Sequence, residues 1–193
     1  MLGSHGVPRR RNSPAACGKR SRQAELSGRA CRAHLPTRRE IRSRIARWRK
    51  DRFLRSAADA LHLAAELVVR LRAERKGLAA LALTTNPSVL TAAGNDYGFE
   101  RIFSRQIESL VAANDILVAL TTSGNSPNIL RGVEAGRARG AYLVALTGET
   151  GGALSGKVDL LLNVPSRDPQ RIQESHITIG HVVCSLIEQL ACG

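Results

Sequence analysis

Two segments of this sequence place side chains that bind metals and move protons at the spacing of a helix face. His62 and Glu66 are four residues apart in a segment rich in Ala and Leu, so both would lie on one side of a helix. Glu174 and His181, seven residues apart, would share a helix face in the same way. Imidazole and carboxylate groups are ordinary zinc ligands and common acids and bases. A lone His on such a helix is more often structural, and His62 with Glu66 could be a surface pair worth about 0.2–0.5 kcal/mol. Spacing alone leaves both interpretations open.

A third chemical feature is the run LTTSGNSPN, which follows an apolar segment and precedes a helical one. Gly124 permits a tight turn, Ser126 suits the N-cap, and Pro127 suits the first helical position. Such a junction points free backbone N–H groups and the positive helix end at one place, which favours a phosphate. Ordinary capping would explain one or two hydroxyls, whereas four fall within six residues: Thr121, Thr122, Ser123 and Ser126. We therefore interpret the loop as an anion site.

Helical and strand-like patterns alternate from residue 56 onwards. Apolar residues recur at helical spacing over residues 56–75, 99–112, 127–139 and 170–190. Short apolar runs, typical of strands covered on both faces, occupy residues 79–84, 115–120, 141–146 and 158–164. This alternation predicts an α/β fold, a three-layer sandwich with a mostly parallel sheet. The carboxyl ends of its strands would share one edge, where ligands bind.

The net charge of +13 is confined to the first quarter of the chain. Residues 1–52 hold 16 Lys and Arg against 3 Asp and Glu, whereas residues 53–193 hold 13 of each kind. The basic segment has few large apolar residues, so we predict a disordered or aberrant arm over residues 1–52 and one folded domain over residues 53–193. Nucleic acid would bind through this arm alone. A solvated tail is the simpler interpretation, and an organellar transit peptide is a weaker one.

Membrane and disulfide signals are both missing from the sequence. No apolar run approaches the roughly 20 residues that span a bilayer, and no signal-peptide core is present. We therefore expect a cytoplasmic protein with no membrane partner. The four cysteines form neither a CxxC pair nor a disulfide pattern, which fits a reducing compartment. They are Cys17, Cys31, Cys184 and Cys192.

Several stretches of the sequence, taken in order, resemble a known enzyme family. The run TTSGNSPNIL is similar to the phosphate loop of the sugar isomerase (SIS) domain, a flavodoxin-like fold. Together with NPSVLTAAGNDYGFERIFSRQIE, ALTGETGG and RIQESHITIGHVVCSLIE, it resembles the phosphoheptose isomerases over residues 56–188. That resemblance implies conversion of sedoheptulose 7-phosphate to D-glycero-D-manno-heptose 7-phosphate for lipopolysaccharide biosynthesis. It also implies zinc dependence, a sugar-phosphate substrate and a homotetramer.

The same resemblance implies roles for individual residues. The zinc ligands would be His62, Glu66, Gln173 and His181. Glu66 and His181 would also be the catalytic acid and base. Gln173 enters on the resemblance alone, because spacing favours Glu174. Positions that would contact the sugar phosphate are Ser56, Asn95, Asp96, Thr121, Thr122, Ser123, Ser126 and Gln173. His176 matches the family motif but no ligand position, and we interpret it as a packing or surface residue.

The sequence departs from the family pattern just before the first helix. Relatives carry a strand that ends in a glycine loop of the CGNGGS type, whereas residues 51–55 read DRFLR here. Large side chains do not let a backbone approach a substrate as closely as glycine does. No continuous apolar run precedes them, so it is open whether the first strand forms. A helix over residues 41–54 is one alternative.

These features leave three functions open. The first is a zinc-dependent ketose–aldose isomerase, which the complete set of ligand positions favours. The second is a non-catalytic SIS-domain protein that binds a replication-initiator partner, which the missing glycine loop and the basic arm favour. The third is an isomerase inactivated by its altered N-terminal segment, which the missing glycine loop favours.

Overall fold

The structure is a computed structural model that describes residues 51–54 and 57–192. The strands are β1 (Asp51–Leu54), β2 (Ala80–Ala82), β3 (Ile116–Leu120), β4 (Tyr142–Thr147) and β5 (Leu160–Asn163). The α-helices are α1 (Ala57–Val68), α2 (Pro87–Tyr97), α3 (Ser104–Leu110), α4 (Pro127–Ala138) and α5 (Pro169–Cys192), and two 3-10 helices cover Phe99–Arg101 and Gly152–Leu154. Residues 1–50, nearly all of the predicted basic arm, lie outside the described part. The predicted domain boundary at residue 52 therefore stays a prediction.

The described strands form one parallel sheet in the order β2-β1-β3-β4-β5. β1 lies inside the sheet, where Asp51 pairs with Ala80 on one side and with Ile116 on the other. The first strand therefore forms, so the expectation that it could be missing is wrong, and so is a helix over residues 51–54. A central strand gains ladder hydrogen bonds from both neighbours, which outweighs the weak strand pattern of DRFL.

Helices cover both faces of the sheet, which gives the three predicted layers. Alternate residues of a strand point to opposite faces, and the buried side chains divide accordingly. Leu117 and Leu143 belong to a cluster with residues of α2, α3 and α4. Leu120 and Leu146 belong to a second cluster with residues of α1 and α5. α1 and α5 therefore lie together on one face of the sheet.

Two helix predictions were wrong in extent, and one helix was not predicted. α1 ends at Val68 rather than at residue 75, because the Arg75 side chain donates to the carbonyl oxygens of the last turn. The segment predicted as one helix over residues 99–112 is a 3-10 turn followed by α3. The missed helix α2 begins after Asn86, whose side chain accepts a hydrogen bond from the Val89 N–H.

The longest helix in the described part of the chain is α5, with 24 residues. Its buried side recurs every four residues and includes Ile172, His176, Gly180 and Cys184. Val183 and Leu186, two of the apolar residues whose spacing predicted this helix, are exposed. No helix in the described part of the chain, α5 included, is long and apolar enough to cross a membrane.

Candidate active site

Three of the predicted metal ligands meet where α1 packs against α5. His62 Nε2 lies 2.8 Å from His181 Nε2 and 3.4 Å from Glu66 Oε1. One ligand atom from each of these residues lies within 4.8 Å of the other two. α1 presents His62 and Glu66 together because they are four residues apart, and α5 supplies His181 from 119 positions further along the chain. The two helices thus build a cluster that neither could form alone.

The ligand types of this cluster and two of its three separations fit a zinc ion. The two imidazole rings meet edge to face, with centroids 5.0 Å apart and planes inclined at 72°. Two ligand atoms bound tetrahedrally at about 2.0–2.1 Å lie about 3.3 Å apart, which is near the 2.8 and 3.4 Å separations found here. Two imidazoles and a carboxylate are also the donor set of catalytic zinc sites that keep a fourth position open. The His62 side chain is 49% exposed, so solvent and small molecules can reach the cluster.

Gln173, the fourth predicted ligand, lies on α5 two turns before His181 and is exposed. Eight residues of helix amount to about 12 Å along the axis, and helical side chains lean towards the N-terminus, so His181 leans towards Gln173. Its role as a ligand stays a prediction. Glu174, which spacing alone favoured, forms an ion pair with Arg171 in which Oε2 lies 2.7 Å from Nη1. The carboxylate that the spacing to His181 favoured as a ligand is therefore paired with Arg171.

The hydroxyl-rich loop lies between the end of β3 and the start of α4. Ser126 is the N-cap of α4 and Pro127 its first residue, as the sequence predicted. Thr121 is buried, and its Oγ1 accepts a hydrogen bond from the Gly124 N–H at 3.3 Å. Ser123 Oγ accepts from the Asn125 N–H at 3.2 Å. Thr121 and Ser123 therefore also shape the turn, and the predicted contacts of Thr121, Thr122, Ser123 and Ser126 with a phosphate stay predictions.

A second loop, at the end of β4, holds the hydroxyl-rich loop in place. Gly124, at φ +67°, packs so closely that a Cβ there would lie 2.1 Å from the Gly151 oxygen. A Cβ on Gly152 would lie 2.3 Å from the Ser123 oxygen. Asn125 Oδ1 accepts a hydrogen bond from the Ala153 N–H at 2.8 Å. Sequence reasoning missed Asn125 in this role, although the paired glycines of GETGGA mark a place where two backbones approach closely.

The other predicted substrate contacts divide between α2 and the undescribed residues. Asn95 and Asp96 lie near the end of α2, both exposed, and Asn95 Nδ2 donates to Asp96 Oδ1 at 2.9 Å. Their predicted contact with substrate stays a prediction. Ser56 lies outside the described residues.

His176 is a packing residue, one of the two roles that its sequence position suggested. It is 2% exposed, and its Nε2 lies 3.2 Å from the carbonyl oxygen of Thr147 at the end of β4. Burial lowers the pKa of the His176 imidazole, while the Thr147 carbonyl and the charge of Asp59 act in the opposite direction. His176 therefore joins α5 to the sheet as a neutral side chain near pH 7.

Known proteins share both this fold and long stretches of this sequence. The family model of the SIS domain matches residues 55–148. The phosphoheptose isomerase of Aquifex aeolicus is 53% identical over 137 residues, which cover 71% of this chain and 72% of that protein. The phosphoheptose isomerase of Geobacter sulfurreducens is 54% identical over 134 residues, 69% of this chain and 71% of that protein.

Solved structures give the same result. Phosphoheptose isomerase GmhA from Neisseria gonorrhoeae matches with a TM-score of 0.68 at 44% identity, covering 72% of this chain and 76% of that one. A phosphoheptose isomerase from Francisella tularensis matches with a TM-score of 0.71 at 36% identity, covering 77% of this chain and 83% of that one. The fold and the site thus define a SIS-domain protein. Within that class, the chain belongs to the phosphoheptose isomerase family, as the sequence resemblance predicted.

Proposed function

We propose that this chain is a sugar-phosphate isomerase that interconverts sedoheptulose 7-phosphate and D-glycero-D-manno-heptose 7-phosphate, in a cytoplasmic route to lipopolysaccharide heptose. The observation that carries this proposal is the convergence of His62, Glu66 and His181 within 4.8 Å. Family membership supports the choice of substrate, because the relatives named above are phosphoheptose isomerases.

The residues of the cluster are of the types that a ketose–aldose isomerisation requires. The reaction removes a proton from the hydroxyl-bearing carbon next to the carbonyl carbon, which gives an enediol, and returns a proton to the former carbonyl carbon. Glu66 would remove the proton from one carbon, because a carboxylate near neutral pH is a competent base. His181 would return a proton as the acid, since imidazole can carry one near pH 7. Because Glu66 and His181 lie on different helices, they can approach a bound sugar from different directions.

The cluster residues would also hold the zinc ion that the family resemblance implies. His62, Glu66 and His181 provide two nitrogen ligands and one oxygen ligand, and Gln173 would add an amide oxygen. When bound, zinc would polarise the carbonyl oxygen of the substrate and so favour loss of the neighbouring proton.

The hydroxyl-rich loop would hold the phosphate at the far end of the sugar. Ser126 is the N-cap residue of α4, so the positive end of the helix dipole lies beside this loop and favours an anion. Thr122 is partly exposed and Ser123 is exposed, so both hydroxyls can reach a ligand. The second loop, with Asn125 as its link, would keep these donors in place before the substrate arrives.

We also propose a homo-oligomer, a tetramer by resemblance. Exposed apolar side chains lie on α1, directly after its C-terminal end and on α5, the two helices that carry the metal-binding cluster. They are Leu61, Val68, Val69, Val182, Val183 and Leu186, and each is at least 42% exposed. Apolar surface of this kind commonly marks a protein–protein contact. The molecular mass in solution, measured by light scattering, tests this proposal, and a monomer at micromolar concentration would contradict it.

The function is tested by assaying the purified chain with sedoheptulose 7-phosphate after chelation and again after zinc is restored. We expect turnover that chelation abolishes and zinc recovers. Zinc binding without turnover would favour the non-catalytic or inactivated alternatives. Turnover that is unaffected by thorough chelation would contradict zinc dependence but not the isomerase function.

A further inference from the structure

The helix that carries Glu66 ends at an unusual cap. α1 stops at Val68, so the carbonyl oxygens of Glu66 and Leu67 have no partner within the helix. The Arg75 guanidinium supplies one, because its Nη2 donates to the Glu66 oxygen at 2.8 Å and its Nη1 to the Leu67 oxygen at 2.9 Å. A positive group at the C-terminal end also complements the helix dipole. The backbone of a proposed catalytic residue is thus held directly by a buried cation.

That cation is held in turn by a carboxylate from the other helix of the site. Glu188, on α5, lies 3.2 Å from Arg75 Nε through its Oε1, and the two side chains are only 5% and 4% exposed. Glu188 also accepts hydrogen bonds from three consecutive backbone N–H groups. They are those of Leu71, Arg72 and Ala73, at 3.1, 3.0 and 3.0 Å. The turn after α1 therefore wraps around a single side chain of α5.

The surroundings of Glu188 keep it charged. The pKa of its carboxyl lies below the ordinary value, chiefly because the Ala73 N–H donates to it. The N–H groups of Leu71 and Arg72 and the Arg75 guanidinium add to this effect, and burial opposes it. Buried ion pairs contribute little net stability in general, because desolvation offsets their attraction. The pair connects the turn after α1 to α5.

Glu188 lies on the helix two turns beyond His181, at a separation of seven residues, so both belong to the side of α5 that meets α1. A second contact fixes the helices beside the metal-binding cluster, since a Cβ on Gly180 would lie 2.6 Å from the Leu63 methyl groups. Gly180 precedes His181, and Leu63 follows His62. The close contact and the ion pair together constrain both the distance between the helices and their relative rotation.

We propose that Arg75 and Glu188 are positioning residues for the metal-binding cluster. Through the carbonyl oxygen of Glu66, they fix where its carboxylate lies relative to the imidazole of His181. Neither residue is among the ligand or substrate positions of the cluster. The inference rests on the proposed zinc-dependent function of His62, Glu66 and His181.

The test compares Glu188→Gln and Arg75→Lys with the control Asp115→Asn. Glu188→Gln keeps the shape of the side chain but removes its charge and one acceptor oxygen. Arg75→Lys keeps the charge but cannot donate to Glu66 and Leu67 with a planar fork. Asp115 is also a buried carboxylate that accepts from a backbone N–H, that of Ala112, but it precedes β3 and belongs to neither α1 nor α5.

The measurements are zinc affinity by competition with a coloured chelator, kcat and KM separately, and stability by urea unfolding. We expect both test variants to bind zinc about 10- to 100-fold more weakly, the cost typical of losing a group that orients a ligand. Their kcat should fall, while KM stays within about twofold because the phosphate loop is untouched. Asp115→Asn should lose stability but keep the wild-type zinc affinity and kcat.

The outcomes separate this inference from the proposed function. If the wild-type chain binds no zinc, the proposed zinc dependence fails and the inference fails with it, whereas the turnover assay still decides the isomerase function. If the wild type binds zinc and turns over, but both test variants match Asp115→Asn in zinc affinity and kcat, only the inference is overturned. Should Glu188→Gln not fold, Arg75→Lys alone decides the result by the same comparison.

Discussion

The Nε2 atoms of His62 and His181 lie 2.8 Å apart although 119 residues separate them in the sequence. In the absence of a metal, the Nε2 atom of one ring must carry a hydrogen and donate it, and the Nε2 atom of the other ring must accept it. The two rings must therefore differ in where they carry their protons. Two protonated rings at this distance would repel each other. A cation that takes the place of the shared proton would remove this restriction, as the proposed metal site requires.

The first prediction concerns the contribution of each imidazole to metal binding. His181→Ala should weaken zinc binding by more than about 100-fold, because even the loss of a group that only orients a ligand weakens metal binding about 10- to 100-fold. His62→Ala should do the same. Isothermal titration with zinc measures both, and Glu174→Gln is the control, since Glu174 pairs with Arg171 instead. Equal affinities in all three variants would rule out this cluster as the metal site.

The second prediction concerns the contact between the two loops near the proposed phosphate site. Gly152→Ala should raise KM for the sugar phosphate at least about tenfold, because its Cβ would meet the Ser123 oxygen at 2.3 Å and displace that loop. Gly156→Ala is a matched control, since Gly156 has a similar positive φ of +76° but nothing within 4 Å of an added Cβ. Both variants should lose about 1–2 kcal/mol of stability from backbone strain. A KM that rises equally in both would show that strain, not loop displacement, is responsible.

The third prediction concerns stability at acid pH. Burial lowers the pKa of His176 in the folded chain, whereas in the unfolded chain it is about 6.5. Between these values the unfolded state binds more protons, so the free energy of unfolding falls as the pH is lowered from about 6.5 through the folded pKa. His176→Gln does not titrate and can still donate to Thr147. Between pH 7.5 and 5.0, urea unfolding should show a smaller fall in the free energy of unfolding for His176→Gln than for wild type. An identical fall in both would contradict a lowered pKa of His176.

The fourth prediction concerns the close packing of α1 on α5. Gly180→Ala should force the helices apart, because the new Cβ would lie 2.6 Å from Leu63 Cδ1 and Cδ2. We expect about 1–3 kcal/mol of destabilisation together with weaker zinc binding. Gly136→Ala is a comparison on a different helix, since its Cβ would meet Leu117 at 2.5 Å on the far face of the sheet. That variant should lose stability and keep its zinc affinity. Unchanged zinc affinity in Gly180→Ala would show that zinc binding does not depend on the close packing of α1 on α5.

The parts of the site that the sequence predicted are those set by local spacing. His62 with Glu66 follows from one turn of helix, and Ser126 with Pro127 follows from capping preferences at the start of α4. The alternation of apolar segments was enough for the α/β class, because a parallel sheet covered on both faces leaves that pattern in any sequence.

The parts that could not be predicted depend on contacts between distant segments. Nothing in the residues around Glu188 shows that three N–H groups of the turn after α1 would surround it. Asn125 carries no local signal for its bond to Ala153, 28 positions away. β1 is the clearest case, because DRFL has a weak strand pattern and forms a strand only through pairing with β2 and β3. Such tertiary contacts override local preference.

The most direct test of the central claim is the turnover of sedoheptulose 7-phosphate by zinc-loaded wild type, Glu66→Gln and Glu174→Gln, measured side by side. Both glutamates are on the two helices of the site, but only Glu66 belongs to the cluster with His62 and His181. We predict that Glu66→Gln loses activity by at least about 100-fold, the lower end of general-base contributions, while phosphate binding at the loop and the activity of Glu174→Gln stay near wild type. Full activity in Glu66→Gln would contradict the account.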